Sequence, residues 1–481
     1  MQYLSSRDIY KSFSLMSSVT LLTIILGVIT TKIAAIFGGL EIIGKLELYR
    51  KLIGLIVPIL AAGSSAIIVQ RISNASSEKN ISNVLSSTSS LFLVQMAVLL
   101  FLAIMFADEI AVWLFSAEYK TLKGTIEMRI VILMSIAVLS LQTLTAIING
   151  KVNLKEVNIV HVATALTTMI ACYPLLMLGD LGVALLVGFG SVVGSFIAFF
   201  YVLKIYKKQI SFIRLSIRDF FSSSPTSIWM IAHPLIVSTL LLYIPVMVQN
   251  QYGLKSLGLY SSVIMINTII TIILMSALKT YFLPTLGKIK SVKEKKIYIN
   301  KIIFLLLIAM LPIIIVIMFF AKIILLILYS AEFVIASELL IIQMMSLLSA
   351  AFCWPYANYI LHNGHYKIYF LIDSIWAIFL ALLIWFFVGN NYQLSIVPIL
   401  FVVGGFVSTS LYTFTVSRMY GEGMLSRQNL RLGLYFIIII LLTYVAISQF
   451  NLYIQSFWAI IIAIGFVVFL RRNHVKNLLE K

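Results

Sequence analysis

Charge is what this sequence has least of. Only 11% of its 481 residues are Asp, Glu, Lys or Arg, against 61% hydrophobic, and the mean hydropathy is +1.07. Too few polar side chains remain to cover a soluble surface of that size, so the composition excludes a soluble fold. Cysteine is nearly absent. Cys172 and Cys353 both fall within apolar runs, which excludes a disulfide framework and a thiolate metal cluster. Catalytic signatures are missing as well: there is no phosphate-binding loop, nucleophile elbow, paired His-Glu zinc helix or dinucleotide-type glycine fingerprint. The chain is therefore read as not an enzyme, with no cofactor and no metal. No loop between apolar runs is long enough to fold as a domain, and no cleavable signal is expected, because Ser12–Phe37 is too long for a signal core.

What the sequence does have is apolar runs of about 20 residues, the length a helix needs to cross roughly 30 Å of hydrocarbon. They predict an all-α integral membrane protein of about fourteen transmembrane helices, from Ser12–Phe37 to Tyr453–Leu470. With the N-terminus cytoplasmic, 25 Lys and Arg fall in inside segments and seven in outside ones, so both termini are predicted cytoplasmic. The net charge of +18 then reflects topology and attraction to anionic lipid heads, and no nucleic-acid partner is implied.

A repeat organises the chain. Gly39-Leu40 and Gly44 recur 214 positions later as Gly253-Leu254 and Gly258. The same offset carries Ser116-Ala117-Glu118 onto Ser330-Ala331-Glu332 and Asn149-Gly150 onto Asn363-Gly364. An ungapped offset held over that distance is the trace of an internal duplication. It divides the chain into an N-terminal lobe of six helices (1–203), a basic cytoplasmic linker (204–225), a second six-helix lobe (226–418), and two further helices with a basic tail (419–481).

Few ionisable groups are embedded, and each needs a partner, a watery cavity or a route to the interface. Lys32, near the outer end of helix one, and Lys279, near the inner end of helix eight, can either snorkel or face a cavity. Arg50, opening helix two, is an interfacial anchor or a cavity cation. Asp373 lies about 9 Å into helix eleven, too deep to snorkel easily, and is a candidate coupling or counter-ion site. Glu127 and Arg129 are read as interfacial. His161 and His233 lack a second ligand at metal spacing and are read as hydrogen-bonded helix contacts. Gln142, Gln249, Asn250, Asn267 and Asn358 suit a polar cavity or interhelical hydrogen bonds alike. Trp354, Tyr356 and Tyr359, beside Pro355, offer aromatic faces for stacking on sugars or for packing. Pro58, Pro234, Pro245 and Pro312 are expected to break helices two, seven and nine into bendable segments.

The stretch T-T-K-I-A-A-I-F-G-G-L-E-I-I-G (30–44), with L-Y-R-K-L (48–52), resembles the start of the Wzx family of polysaccharide-unit flippases. Phe115–Tyr119, Tyr329–Phe333, Asn149-Gly150 and Leu283-Pro284 resemble it too. The resemblance covers about residues 10–420. It implies the multidrug/oligosaccharidyl-lipid/polysaccharide exporter fold, two lobes around a central cavity as in MATE and MurJ transporters. The implied substrate is an undecaprenyl-diphosphate-linked oligosaccharide, of O-antigen or similar surface polysaccharide, moved from the cytoplasmic to the periplasmic leaflet of a bacterial inner membrane. Lys32, Arg50 and Lys279 would hold the diphosphate, and the aromatics of helix ten the glycan. Helices thirteen and fourteen would form a groove for the polyprenyl tail. Membrane lipids, a polysaccharide polymerase and a chain-length regulator are the partners implied. A drug or cation antiporter of the same superfamily is the closest rival reading, and a membrane-embedded polysaccharide polymerase a more distant one.

Overall fold

The computed structural model describes residues 6–61, 64–75, 77–116, 119–207, 228–420 and 425–449, with positions 458, 461, 462 and 465. Most of the basic linker, most of predicted helix fourteen and the basic tail lie outside them. Every regular element described is helical: α1 (Ser6–Ala61), α2 (Ser64–Asn74), α3 (Glu78–Met105), α4 (Ala107–Phe115), α5 (Leu122–Asn149), α6 (Leu154–Leu176), α7 (Asp180–Tyr206), α8 (Ile228–Lys288), α9 (Val292–Leu328), α10 (Ser337–Met344), α11 (Ser346–His362), α12 (Tyr366–Gly389), α13 (Ile396–Tyr420) and α14 (Arg427–Gln449). A 3₁₀ turn, Ala331–Ala336, precedes α10.

Two of these helices are too long to be single crossings. At 1.5 Å per residue α1 would run about 84 Å and α8 about 92 Å, nearly three hydrocarbon thicknesses each. Both are interrupted once, at Gly39 (φ 64°, ψ −163°) and at Gly253 (φ 81°, ψ 170°), backbone conformations that side chains with a Cβ rarely adopt. Among the described residues ten helices are long and apolar enough to cross, eleven if the pair bent by 42° at Met345 is one span. Gly39 and Gly253 divide α1 and α8 into two helical segments each. Predicted helix fourteen falls almost wholly on residues outside the description.

The repeat is visible as geometry. A Cβ on Gly44 would lie 2.5 Å from the carbonyl oxygen of Leu254, and a Cβ on Gly258 would press against the carbonyl oxygen of Leu40. Those two contacts exchange under the 214-residue offset, the reciprocity that a two-fold relation between equivalent segments requires. The same offset maps the stacked pair Phe115–Tyr119 (ring centroids 4.5 Å) onto the stacked pair Tyr329–Phe333 (4.9 Å).

The chain stays helical through Pro58, Pro234, Pro245 and Pro312. The expected proline breaks are thus absent, and the non-helical residue within α9 is Phe320, eight positions beyond Pro312. A proline deletes one helical hydrogen bond and bends the axis, and packing against neighbours lets the helix continue.

Contacts gather the chain into two compact units. The first comprises Met1–Met265, Leu325–Phe333 and His365–Val397, the second Ile266–Ile324, Val334–Gly364 and Pro398–Lys481. In the first, α5, α6 and α7 pack closely with α1. Gly188, Gly190 and Gly194 of α7 admit Met134, Thr164 and Thr168, the small-residue seam that brings membrane helices together where water supplies no drive. Exposed apolar side chains such as Phe101, Ile104, Phe196 and Phe200 suit a surface facing lipid. In the second unit, Asn300 of α9 accepts from the Ser426 backbone N–H and the Asn429 amide, fixing the start of α14.

Candidate functional site

Among the described residues, four groupings of polar side chains bear on the sequence-predicted sites, and their chemistry differs. The first is a charge network at the end of the first unit where α1 turns at Gly39. Lys45 Nζ lies 2.5 Å from Asp180 Oδ1 and 3.4 Å from Glu127 Oε2, with its ammonium 5.2 Å above the Tyr119 ring. Glu127 also accepts from the Tyr49 hydroxyl at 2.9 Å, and Lys123 pairs with Asp180 Oδ2 at 2.6 Å. Thr125 donates to Asp108. Asp180 stands at the first position of α7, where the helix dipole favours a carboxylate. Two lysines against two carboxylates make a neutral knot joining α1, α5 and α7. Its charges are satisfied internally, so it has none to spare for a diphosphate. Glu127, expected at an interface, is buried in this knot.

The second grouping holds the predicted cations. Lys32 donates to the Ile327 carbonyl oxygen at 2.6 Å, capping the C-terminal end of α9, where carbonyls lack helical partners. Arg50 is half-buried, makes no ion pair among the described residues, and lies within electrostatic reach of Cys172 and Tyr329. Lys32 and Arg50 therefore both approach the segment Leu325–Phe333. The side chain of Lys279 lies outside the described residues.

The third is an embedded acid–base pair. Asp373, about 10 Å along α12, has Oδ2 2.6 Å from His233 Nε2 of α8, and the His233 and Tyr369 rings are 4.3 Å apart. Both side chains are under a fifth exposed, at 17% and 18%. Further contacts at the same separation of 140 residues, Gln251 to Asn391 and Tyr252 to the Tyr392 carbonyl, make the start of α8 and α12 parallel neighbours. The structure thus unites a carboxylate read from the sequence with a histidine read only as a helix contact. Such a pair can store one proton or one ionic bond, and so can bias two conformations against each other. Asp373→Asn, which keeps size but loses charge, is expected to cut the protein's activity at least tenfold with normal membrane abundance. Adding His233→Gln is expected to cost little more, since the pair acts as a unit. Full activity from Asp373→Asn would reduce the pair to packing.

The fourth is a cavity of about 550 Å³ between α2, α5 and α6, lined by Ser65, Gln70, Gln142, Thr145, Asn149 and His161 among others. Amides, hydroxyls and one imidazole face it beside the apolar Val69, Ala146 and Val157, and no carboxylate does. Gln142 was legible as a cavity candidate. Gln70 and Asn149 were not, because a lone amide near a helix end carries no pattern.

The predicted aromatics are in the second unit. Trp354 packs on Phe282 at 5.3 Å, whereas Tyr356 and Tyr359 are fully buried, the latter 5.9 Å beneath Lys295. The Tyr356 hydroxyl finds no hydrogen-bond partner among the described residues. In this conformation the two tyrosine faces are covered by protein.

Residues 9–290 match a family model described as polysaccharide biosynthesis protein. No match is found among curated proteins. Among solved structures, the chain is similar to the lipid II flippase MurJ in an inward closed conformation, with TM-score 0.74 and 16% identity, covering 95% of this chain and 99% of that one. It is similar also to an inward-facing MATE multidrug resistance transporter of the MOP superfamily, with TM-score 0.66 and 14% identity over 84% and 94% of the chains. A MOP superfamily transporter from Pyrococcus furiosus gives TM-score 0.54 and 15% identity over 84% and 95%. At such identities the likeness is one of fold, and that fold is MurJ- and MATE-like.

Proposed function

From the premise that this chain belongs to the polysaccharide biosynthesis protein family, we propose that it is a flippase for undecaprenyl-diphosphate-linked oligosaccharide units of a surface polysaccharide such as O-antigen. It carries them from the cytoplasmic to the periplasmic leaflet of a bacterial inner membrane, with both its termini in the cytoplasm. The observation that carries this reading is the amide-lined cavity of about 550 Å³. Neutral donors and acceptors without a carboxylate suit glycan hydroxyls, whereas a cationic drug would call for buried acid. Turnover is alternating access, with lobes 1–203 and 226–418 rocking about the bound head group. Lys32, Arg50 and Lys279 would meet the diphosphate, Lys32 leaving the Ile327 carbonyl to do so, and the Trp354, Tyr356 and Tyr359 cluster would reach the glycan once its cover opens. Helices thirteen and fourteen would shelter the polyprenyl tail, and a polysaccharide polymerase and chain-length regulator would take over the product. The His233–Asp373 pair would couple the cycle to protons.

The test is surface polysaccharide made by a strain lacking its own flippase and complemented at matched membrane abundance. Each lost amide contact to a glycan should cost about 1 kcal/mol, roughly fivefold in binding. Gln142→Leu is expected to lower export by that factor, and Gln70→Leu with Gln142→Leu to lower it further. Undiminished polysaccharide from the double variant would remove the cavity from the substrate path.

A further inference from the structure

Another cavity, of about 410 Å³, opens in the second unit between the start of α9 and the start of α14. Lys293, Lys296 and Lys301 line it, with Gln428 opposite and Ile297 and Phe304 as apolar wall; no carboxylate contributes. Lys293 and Lys301 form no ion pair among the described residues. The cavity is built rather than incidental. Asn429, 2% exposed, donates to the Asn300 carbonyl oxygen at 2.9 Å and to its side-chain oxygen at 3.1 Å. The Ser426 backbone N–H bonds the same side-chain oxygen at 2.9 Å, and the Ser426 hydroxyl accepts from the Asn429 N–H at 3.1 Å, capping α14. The N-terminal end of this 23-residue helix is thereby held beside the lysines.

Bringing the ammonium groups of Lys293 and Lys301 to one hollow that no carboxylate lines favours an anion there. A helix N-terminus adds positive potential to the same place. The setting identifies the anion. Past Lys301 the sequence of α9 turns continuously apolar, Ile302-Ile303-Phe304-Leu305-Leu306-Leu307, so the lysines stand where the helix passes from water into hydrocarbon. Phe304 and Ile297 add an apolar wall that a free inorganic ion could not use.

We propose that this cavity is a binding site for the phosphate headgroup of an anionic membrane lipid. Phe304 and Ile297 receive the first part of its acyl region. The bound phosphate bridges α9 and α14, adding to the tie that Asn300 makes between them. The site is separate from the amide-lined cavity and does not depend on the proposed substrate.

Purified full-length protein in nanodiscs of phosphatidylcholine, with and without phosphatidylglycerol, would test it by thermal unfolding, and native mass spectrometry would count retained phosphatidylglycerol. The wild type is expected to melt higher with phosphatidylglycerol and to retain it. Lys293→Gln/Lys301→Gln is expected to lose that preference while melting like wild type in phosphatidylcholine alone. Apparent affinity should fall roughly fivefold for each lysine removed. If the double variant folds poorly, Lys293→Gln alone, at an exposed position, makes the same comparison. A double variant that keeps its phosphatidylglycerol preference would overturn the proposal. So would equal, lysine-dependent stabilisation by inorganic phosphate in phosphatidylcholine, which would mark a free-anion site.

Discussion

Lys45→Met is expected to be among the most damaging single substitutions in this chain. Its ammonium and the Glu127 carboxylate are 6% and 2% exposed, so their charges are tolerable only as a pair. Removing the lysine leaves Glu127 with the Tyr49 hydroxyl as its remaining partner, while Asp180 keeps Lys123. An orphaned buried charge of this kind costs about 3–5 kcal/mol. Lys123, at 66% exposed, is a matched control, and Lys123→Gln should leave stability close to wild type because solvent screens its charge. Thermal unfolding of the purified variants would separate the two. Adding Glu127→Gln to Lys45→Met should restore most of the loss, because the uncompensated charge then disappears. Wild-type stability in Lys45→Met, or no rescue by Glu127→Gln, would mean the knot does not hold the helices.

Gly258→Ala and Gly44→Ala are expected to fail together and to a similar degree. Each new methyl would meet a backbone carbonyl oxygen, of Leu40 in one case and Leu254 in the other, at distances no real Cβ contact shows. A flexible side chain could swing aside, but a backbone carbonyl cannot without moving its helix. Overpacking usually costs about 1–3 kcal/mol, and an immovable neighbour puts these at or above the upper end. Gly54, whose Cβ would meet nothing within 4 Å, supplies the control: Gly54→Ala should be neutral or slightly stabilising. Membrane abundance and unfolding temperature of the three variants decide it. Equal tolerance of all three would show that the two turns do not touch reciprocally.

The sequence was most informative where backbone geometry demands one residue type. Gly39 and Gly253 are needed at positive φ, and Gly44 and Gly258 where backbones meet, so the 214-residue offset is legible there as a repeat. The apolar runs likewise announced the spans, because hydrocarbon leaves little choice of composition. Pairing was harder. Asp373 stood out as an embedded acid, but nothing local tied it to His233, 140 residues earlier on a different helix. Glu127 reads as an interfacial charge, and nothing local ties it to Lys45 or Asp180, since a knot drawn from three helices leaves no periodicity in any of them. The prolines misled because a helix walled by other helices tolerates a missing hydrogen bond that an isolated one would not.

The measurement closest to the central claim is transfer of the lipid-linked glycan itself. The protein would be reconstituted into liposomes carrying undecaprenyl-diphosphate-linked oligosaccharide in both leaflets. A membrane-impermeant glycosidase would then report how much glycan is reachable from outside. With wild-type protein the entire pool is expected to become accessible, and Asp373→Asn and Gln142→Leu should slow that transfer. An inner pool still protected by wild-type vesicles that nonetheless expel a cationic dye would contradict the flippase and establish the antiporter.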